Sequence, residues 1–198
     1  TNIVLPVPTT KDKETVYCSN KDVKIKLDDI YKSLTDKQKV YGYGLSDCCK
    51  SECFDFMKDK TFKLANAHLT AQGALRLLLD NTEDYIPLKK VLILGFGDVA
   101  RTLAEILSKL GVEVYIAARN KSQLLKASFC GYKTVKLCSA GSCIFIFDYI
   151  FGTIPANILR SENVKSMKES AVYFELASSP FTADKEHFTI HGKKHIDG

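Results

Sequence analysis

One stretch restricts this chain more than any other: Val91-Leu92-Ile93-Leu94-Gly95-Phe96-Gly97-Asp98-Val99-Ala100, running on into Arg101-Thr102-Leu103-Ala104. An apolar strand, a tight glycine turn and the first turns of an amphipathic helix follow without a gap, the sequence form of a strand that feeds a helix across a phosphate-sized bend. Gly95 permits the sharp turn, Gly97 lets phosphates approach the backbone with no Cβ in the way, and Ala100 keeps helix and strand close. Phe96, Asp98 and Val99 complete the turn, where an anion can sit on free N–H groups at the helix start.

A GxGxxA pattern alone is common, so its surroundings decide. The helix carries Val99, Ala100, Leu103, Ala104, Ile106, Leu107 and Leu110 on one broad face and is expected to end at Gly111. Val112 to Ala118 then reads as a second parallel strand, which closes a βαβ unit of roughly 30 residues. A dinucleotide site is expected; the alternative is an α/β turn that binds nothing.

The end of that second strand says which dinucleotide. An NAD site carries Asp or Glu there for the ribose 2′-hydroxyl, whereas a 2′-phosphate needs positive charge. This chain has Ala117-Ala118-Arg119-Asn120-Lys121, with no acid. Arg119 offers a planar fork, Lys121 a point charge and Asn120 a hydrogen-bond donor, so NADP is favoured over NAD. The alternative is a basic loop that is merely solvated.

Ahead of the turn, Asn2 to Pro8 reads as a buried strand running into a loop at Pro8-Thr9-Thr10, and Leu27 to Leu34 as a short helix. Lys39 to Gly44 reads as a second strand. A helix is expected after Ser46 through Cys53, Phe54 and Met57, then a third apolar piece, Phe62-Lys63-Leu64. This is the rhythm of a small α/β lobe that begins partway through. Asn66 to Thr82 reads as a long connecting helix with Thr70 as N-cap and an apolar stripe of Ala71, Ala74, Leu75, Leu78 and Leu79. Gly73 early in that helix suggests that another backbone or a ligand passes close by. Asn66, His68 and Thr70 are then candidates at the cleft between lobes, with Thr9 and Ser46 on loops at the carboxyl ends of strands.

Beyond the second strand, Ser122 to Phe129 should be a helix and Tyr132 to Val135 a strand. Ile144-Phe145-Ile146-Phe147 should start a buried strand that ends in the loop Thr153-Ile154-Pro155, facing the nicotinamide half of the cofactor. Ala171 to Pro180 repeats the pattern, placing Ala177 and Ser178 on the next loop, and Phe188 to His191 reads as one more strand. The expected fold is α/β, a doubly wound parallel sheet (Rossmann) of about six strands with a smaller, incomplete N-terminal α/β lobe joined by a long helix. The boundaries expected are 1–68 for that lobe, 69–84 for the connecting helix and 85–198 for the dinucleotide-binding domain.

Composition excludes several classes. The 198 residues carry a net charge of +5 spread over single lysines, without the basic stripe and interleaved aromatics of a nucleic-acid binder. No apolar run is long enough to cross a bilayer and no signal pattern opens the chain, so a cytoplasmic protein is expected. Seven cysteines show no pair of CxxC motifs and an odd total, which argues for reduced thiols and no metal.

Leu69-Thr70-Ala71-Gln72-Gly73-Ala74 with Asn81-Thr82, then Val91 to Gly97, Ala117-Ala118-Arg119, Thr153-Ile154-Pro155 and Leu176-Ala177-Ser178 together resemble the A subunit of dipicolinate synthase in order and spacing. The resemblance implies an oxidoreductase that oxidises dihydrodipicolinate to dipicolinate, the spore calcium chelator of sporulation, with NADP as hydride acceptor. It also implies a small cyclic dicarboxylate as ligand and, as partner, a flavoprotein-like B subunit, with neither nucleic acid nor membrane; a homo-oligomer is compatible. The family carries Asn where Gly152 stands, and an arginine and glycine pair where Ser179, Phe181 and Thr182 stand. It also has a strand–helix portion ahead of this chain's start and a Gly-Leu-Pro-Gly segment past the last strand, so a trimmed chain or a changed substrate is expected. In that frame Asn66, Thr70, Ser46 and Thr9 are substrate-side candidates and His68 a proton acceptor. Two other functions stay open: a non-catalytic NADP-binding sensor or scaffold, and an alanine-dehydrogenase-like or 2-hydroxyacid-dehydrogenase-like enzyme.

Overall fold

The computed structural model describes residues 2–6, 9–10, 12, 14–20, 22–35, 37–45, 52–83 and 85–198, with Glu52 described by its backbone alone. Two compact units emerge, Thr1–Ala65 and Asn66–Gly198.

In the smaller unit three parallel strands lie side by side in chain order: β1 (Ile3–Val4), β2 (Lys39–Gly42) and β3 (Glu52–Asp55). The opening strand is only two residues long and is an edge, so Val4 is exposed and Leu5 does the burying. Leu5 packs with Val40, Leu45 and Leu27, the last from helix α1 (Leu27–Ser33). The helix expected through Cys53, Phe54 and Met57 does not form. Cys53 and Phe54 instead pair in register with Val40 and Tyr41, and the Tyr41 and Phe54 rings stack at 5.0 Å. Cross-strand packing of this kind overrides local propensity. Asp55 then ends the strand, its carboxylate accepting from the N–H of Met57 and of Gly44 at 2.8 and 3.0 Å. Residues 46–51, with Ser46, Cys48 and Cys49, lie outside the described residues.

Helix α2 (Lys60–Asp80) begins ten residues earlier than its expected cap. Asp59 accepts from the N–H of Thr61 and Phe62, so Phe62-Lys63-Leu64 is the first turn of a helix and not a strand. Thr70 consequently sits mid-helix, its hydroxyl donating back to the Asn66 carbonyl at 2.9 Å. The buried stripe is Ala67, Ala71, Ala74 and Leu78, whereas Leu79 faces solvent.

The larger unit is a six-stranded parallel sheet ordered β6-β5-β4-β7-β8-β9, formed by β4 (Lys90–Leu94), β5 (Glu113–Ala118), β6 (Lys133–Lys136), β7 (Tyr149–Gly152), β8 (Val172–Glu175) and β9 (Lys194–Asp197). Strand order reverses between β4 and β7, the switch point that defines a doubly wound sheet and opens a crevice at the carboxyl ends. Helices α3 (Asp98–Lys109), α4 (Lys121–Phe129), α5 (Ser161–Lys165) and α6 (Lys185–Ile190) make the crossovers with short 3-10 turns. Alternation along β4 builds both faces: Val91 and Ile93 join a core with α2 and α3, and Leu92 and Leu94 a second with Leu137, Ile144, Phe147 and Phe188. Full burial of each such side chain contributes roughly 1.5–3 kcal/mol.

Two expectations fail here. Gly141–Ile146 is a 3-10 helix, because Asp148 interrupts the apolar run: it accepts from the Lys90 N–H at 2.8 Å and pairs with Lys168 at 2.7 Å, which delays β7 to Tyr149. The segment Phe188 to Ile190 is the end of α6, buried through Phe188, and the last strand is Lys194–Asp197. No helix among the described residues is long and apolar enough to cross a membrane.

Candidate dinucleotide site

The glycine turn stands at the switch point. Gly95 has φ +114, a conformation that disfavours any side chain, and its N–H donates to the Ala117 carbonyl at 2.8 Å. A Cβ on it would also lie 2.6 Å from the Thr153 Oγ1 and 3.1 Å from Ile154. Thr153 is fixed there because its hydroxyl donates to the Leu94 carbonyl at 2.7 Å. Two stretches far apart in sequence, Gly95 to Gly97 and Thr153 to Pro155, are thus packed together and line one hollow of about 170 Å³ with Ala118, Arg119, Gln123 and Leu137. Phe96 is buried edge-on against Tyr132, with Ala100 buried on the first turn of α3 and Val99 half-buried.

Gly97 differs from Gly95. It is the N-cap of α3 at φ −79, ψ −170, which any residue adopts, and a Cβ on it would meet open space. No side chain caps the helix, so the first-turn N–H groups are left for a ligand. Asp98 forms an ion pair with Arg101, which offsets its charge beside that turn.

After β5, Arg119 and Lys121 are both exposed. Asn120 caps α4, its side-chain oxygen accepting from the Ser122 N–H at 2.8 Å, so only its amide nitrogen is left to meet a ligand.

On the other side of the switch point, Glu175 ends β8 with only 3% of its surface exposed. Its carboxylate accepts from the Tyr173 hydroxyl (2.9 Å) and from the N–H groups of Ala177 (3.1 Å), Thr182 (2.9 Å) and Ala183 (3.2 Å). Burial still pushes its pKa above the ordinary carboxyl range, because the donors do not cancel the loss of water. Burial likewise raises the Tyr173 hydroxyl well above its usual value, and the Glu175 charge adds to it. Thr182 passes the constraint on: its hydroxyl donates to the Ile154 carbonyl at 2.7 Å and accepts from the Ile154 N–H at 3.2 Å. The loops after β7 and β8, which carry Thr153, Ile154, Pro155, Ala177 and Ser178, are therefore one clamped structure. Gly152 belongs to it, since a Cβ there would collide with the Tyr173 hydroxyl. Sequence reasoning missed Glu175 and Thr182; the available signal was an acid closing the apolar strand Val172-Tyr173-Phe174.

Of the substrate-side candidates, Asn66 and Thr70 are four apart on α2 and share a face. His68 is roughly 200° round the axis from each, close enough to Glu105 of α3 to act on its charge. Thr70, Gly73, Leu77 and Leu176 line a second hollow of about 640 Å³, which puts Thr70 near the start of the loop after β8. Outside α2's own backbone, no atom of the described residues comes within 4 Å of a Cβ built on Gly73, so no neighbouring backbone among them explains it. In the smaller unit Thr9 is fully buried, its hydroxyl donating to the Pro6 carbonyl (3.1 Å) and accepting from the Tyr43 N–H (2.8 Å), a role internal to that fold. Ser46 lies outside the described residues. Among the described residues no group of three His, Cys, Asp or Glu side chains could hold a metal.

Sheet order, switch-point turn and uncapped helix together define a doubly wound domain of the dinucleotide-binding type. The chain belongs to the family of the S-adenosyl-L-homocysteine hydrolase NAD binding domain, which matches residues 72–196, more than half its length. It is also similar to the A subunit of dipicolinate synthase from Bacillus subtilis (strain 168), 26% identical over 204 aligned positions that cover 98% of this chain and 68% of the relative. S-inosyl-L-homocysteine hydrolase of Methanopyrus kandleri is 25% identical across 69% of this chain and 32% of its own length. The crystal structure of the dipicolinate synthase A subunit from Bacillus halodurans superposes with a TM-score of 0.83 at 22% identity, covering 100% of this chain and 71% of that one. The resemblance seen in the motifs therefore extends along the chain and through its fold.

Proposed function

We propose that the chain binds NADP at the turn between β4 and α3 and, like the dipicolinate synthase A subunit it is similar to, uses it to oxidise a small cyclic dicarboxylate, dihydrodipicolinate. The observation that carries the reading is Gly97: beside a helix start that no side chain caps, nothing among the described residues lies within 4 Å of a Cβ built there, which leaves room for a diphosphate against the backbone. The residues present fit such a ligand. The first turn of α3 takes the diphosphate, Arg119 and Lys121 with the Asn120 amide take the 2′-phosphate, and the clamped loops at Thr153 to Pro155 and Ala177 to Ser178 bound the ring end.

When bound, NADP supplies a hydride acceptor. The chain's part is to orient the two rings and exclude water, with Thr70, which lines the hollow beside Leu176, and Asn66 on the same face of α2 as the substrate-side groups. His68, on the opposite side of α2 from Asn66 and Thr70, is the weakest of these candidates for moving a proton. A flavoprotein-like second subunit is the partner the same reading implies.

The chain has no tryptophan, so the intrinsic fluorescence of NADPH reports binding directly. Gly97→Ser adds a Cβ while keeping good N-cap chemistry; it should leave the melting temperature at or above that of the parent and weaken NADPH binding about tenfold or more. Unchanged affinity would refute the site. Dihydrodipicolinate made in situ, followed at the reduced-nicotinamide absorbance band with the partner protein present, tests turnover. NADPH binding without an absorbance change would favour a cofactor-sensing or scaffolding role.

A further inference from the structure

A larger hollow, about 510 Å³, adjoins the one at the glycine turn and shares Arg119 and Leu137 with it. Its walls come from the segments after the carboxyl ends of β5 and β6, on the adenosine side of a doubly wound sheet, and from the segment that follows β7 across the switch point. Two guanidinium groups line it: Arg119 after β5, and Arg160 from the segment before α5. Among the described residues neither has a carboxylate within ion-pairing distance.

The backbone that carries Arg160 is fixed. Leu159 beside it is buried at 1% exposure, the Arg160 N–H donates to the Asn163 Oδ1 at 2.9 Å, and the Asn163 N–H donates to the Arg160 carbonyl at 2.9 Å. Asn163 in turn fills the space left by Gly141, where a Cβ would collide with its amide, so the segments after β6 and β7 meet at this point. The Arg160 side chain is exposed while its root is held. Glu162 is the one acid among the described lining residues; it can accept from a ribose hydroxyl or an adenine amino group and does not offset two arginines.

We infer that Arg160 is a second specificity-determining residue, which joins Arg119 in holding the 2′-phosphate end of the adenosine. The inference rests on the proposed NADP site and deepens it. A phosphate between two planar forks receives paired, charge-assisted hydrogen bonds, whereas a bare 2′-hydroxyl offers a single neutral oxygen that cannot accept such pairs. Selectivity in this chain then comes from two loops, those after β5 and β7, and not from the end of β5 alone.

The test uses the whole chain and calorimetric titration with 2′,5′-ADP and 5′-AMP, which differ only in that phosphate, alongside NADPH and NADH. Arg160→Ala should bind 2′,5′-ADP and NADPH about tenfold more weakly and 5′-AMP and NADH within about twofold of the parent, with the melting temperature unchanged. Arg160→Lys, which keeps charge and loses the fork, should fall between. An equal loss for 5′-AMP would mean that Arg160 packs against the base, and no loss for 2′,5′-ADP would mean that it touches nothing; either overturns the inference. Should Arg119→Glu abolish the preference for 2′,5′-ADP while Arg160→Ala leaves it intact, the NADP reading stands and the inference alone falls. A parent protein that binds 2′,5′-ADP and 5′-AMP equally overturns both.

Discussion

Gly95 and Gly97 stand two residues apart and answer to different constraints. Gly95→Ala puts a side chain at φ +114 and drives it against Thr153, so it should cost roughly 2–4 kcal/mol of stability, read as a fall in the urea midpoint. At Gly97 the loss should fall on the ligand instead, because nothing in the fold occupies the place of its Cβ. Glu175 makes a third kind of residue, one that shapes the site from within. Its carboxyl is more acid-retentive in the folded chain than in the unfolded one, so the native state binds the extra proton. The stability this contributes is fully present below its ordinary value of 4.5 and is lost as pH rises through the higher folded value. Glu175→Gln has no such titration and faces one backbone donor with an N–H. The parent's advantage over this variant in urea should be greatest below pH 4.5 and shrink as pH rises, then level off; a constant difference would show that Glu175 does not titrate in that window.

At the scale of elements, α2 shows how a cap decides where a helix begins. The Asp59 carboxylate starts it at Lys60, ten residues ahead of Thr70, and Thr82 ties its far end to the sheet through the Tyr149 hydroxyl at 2.6 Å. Asn81 closes the helix, donating to the Leu77 carbonyl at 2.9 Å, which gives the Asn-Thr pair of the motif a structural reason. Gly73 lies exposed within α2 and an added Cβ would meet none of the described residues beyond the helix itself, so Gly73→Ala should stabilise by about 1 kcal/mol and raise the melting temperature by about 2–4 °C. A gain in stability joined to a loss of turnover would mark the 640 Å³ hollow beside it as the substrate's place.

For the whole molecule, the two units differ in how much apolar surface each removes from water. The larger one buries both faces of a six-stranded sheet, whereas the core of the smaller one is Leu5, Leu27, Val40 and Leu45 among its described residues. Hydrogen exchange under native conditions should therefore release the amides of β1 and β2 at lower free energy than those of β4, β5 and β7. Equal protection across both sheets would mean that the chain opens as one cooperative body.

Periodicity that acts over ten or so residues was readable directly: the β4–turn–α3–β5 unit, the end of α3 at Gly111, and α1, β2 and α4 all follow from alternation, 3.6-residue stripes and glycine stops. So did the six-stranded doubly wound sheet, because strands separated by crossover helices can pair only in parallel. What local pattern could not supply was set by partners distant in the chain. Cys53 and Phe54 became a strand because β2 lay ready to pair with them, and Asp148 shortened β7 through Lys90 and Lys168. The clamp at Glu175 and the hollow that Arg119 and Arg160 both line carry little linear signature, since each joins segments that come together only at the carboxyl ends of parallel strands. Sequence alone named the bend and the cation beside it; tertiary structure alone chose which loops close around them, because adjacency across a sheet is fixed by strand order and not by position in the chain.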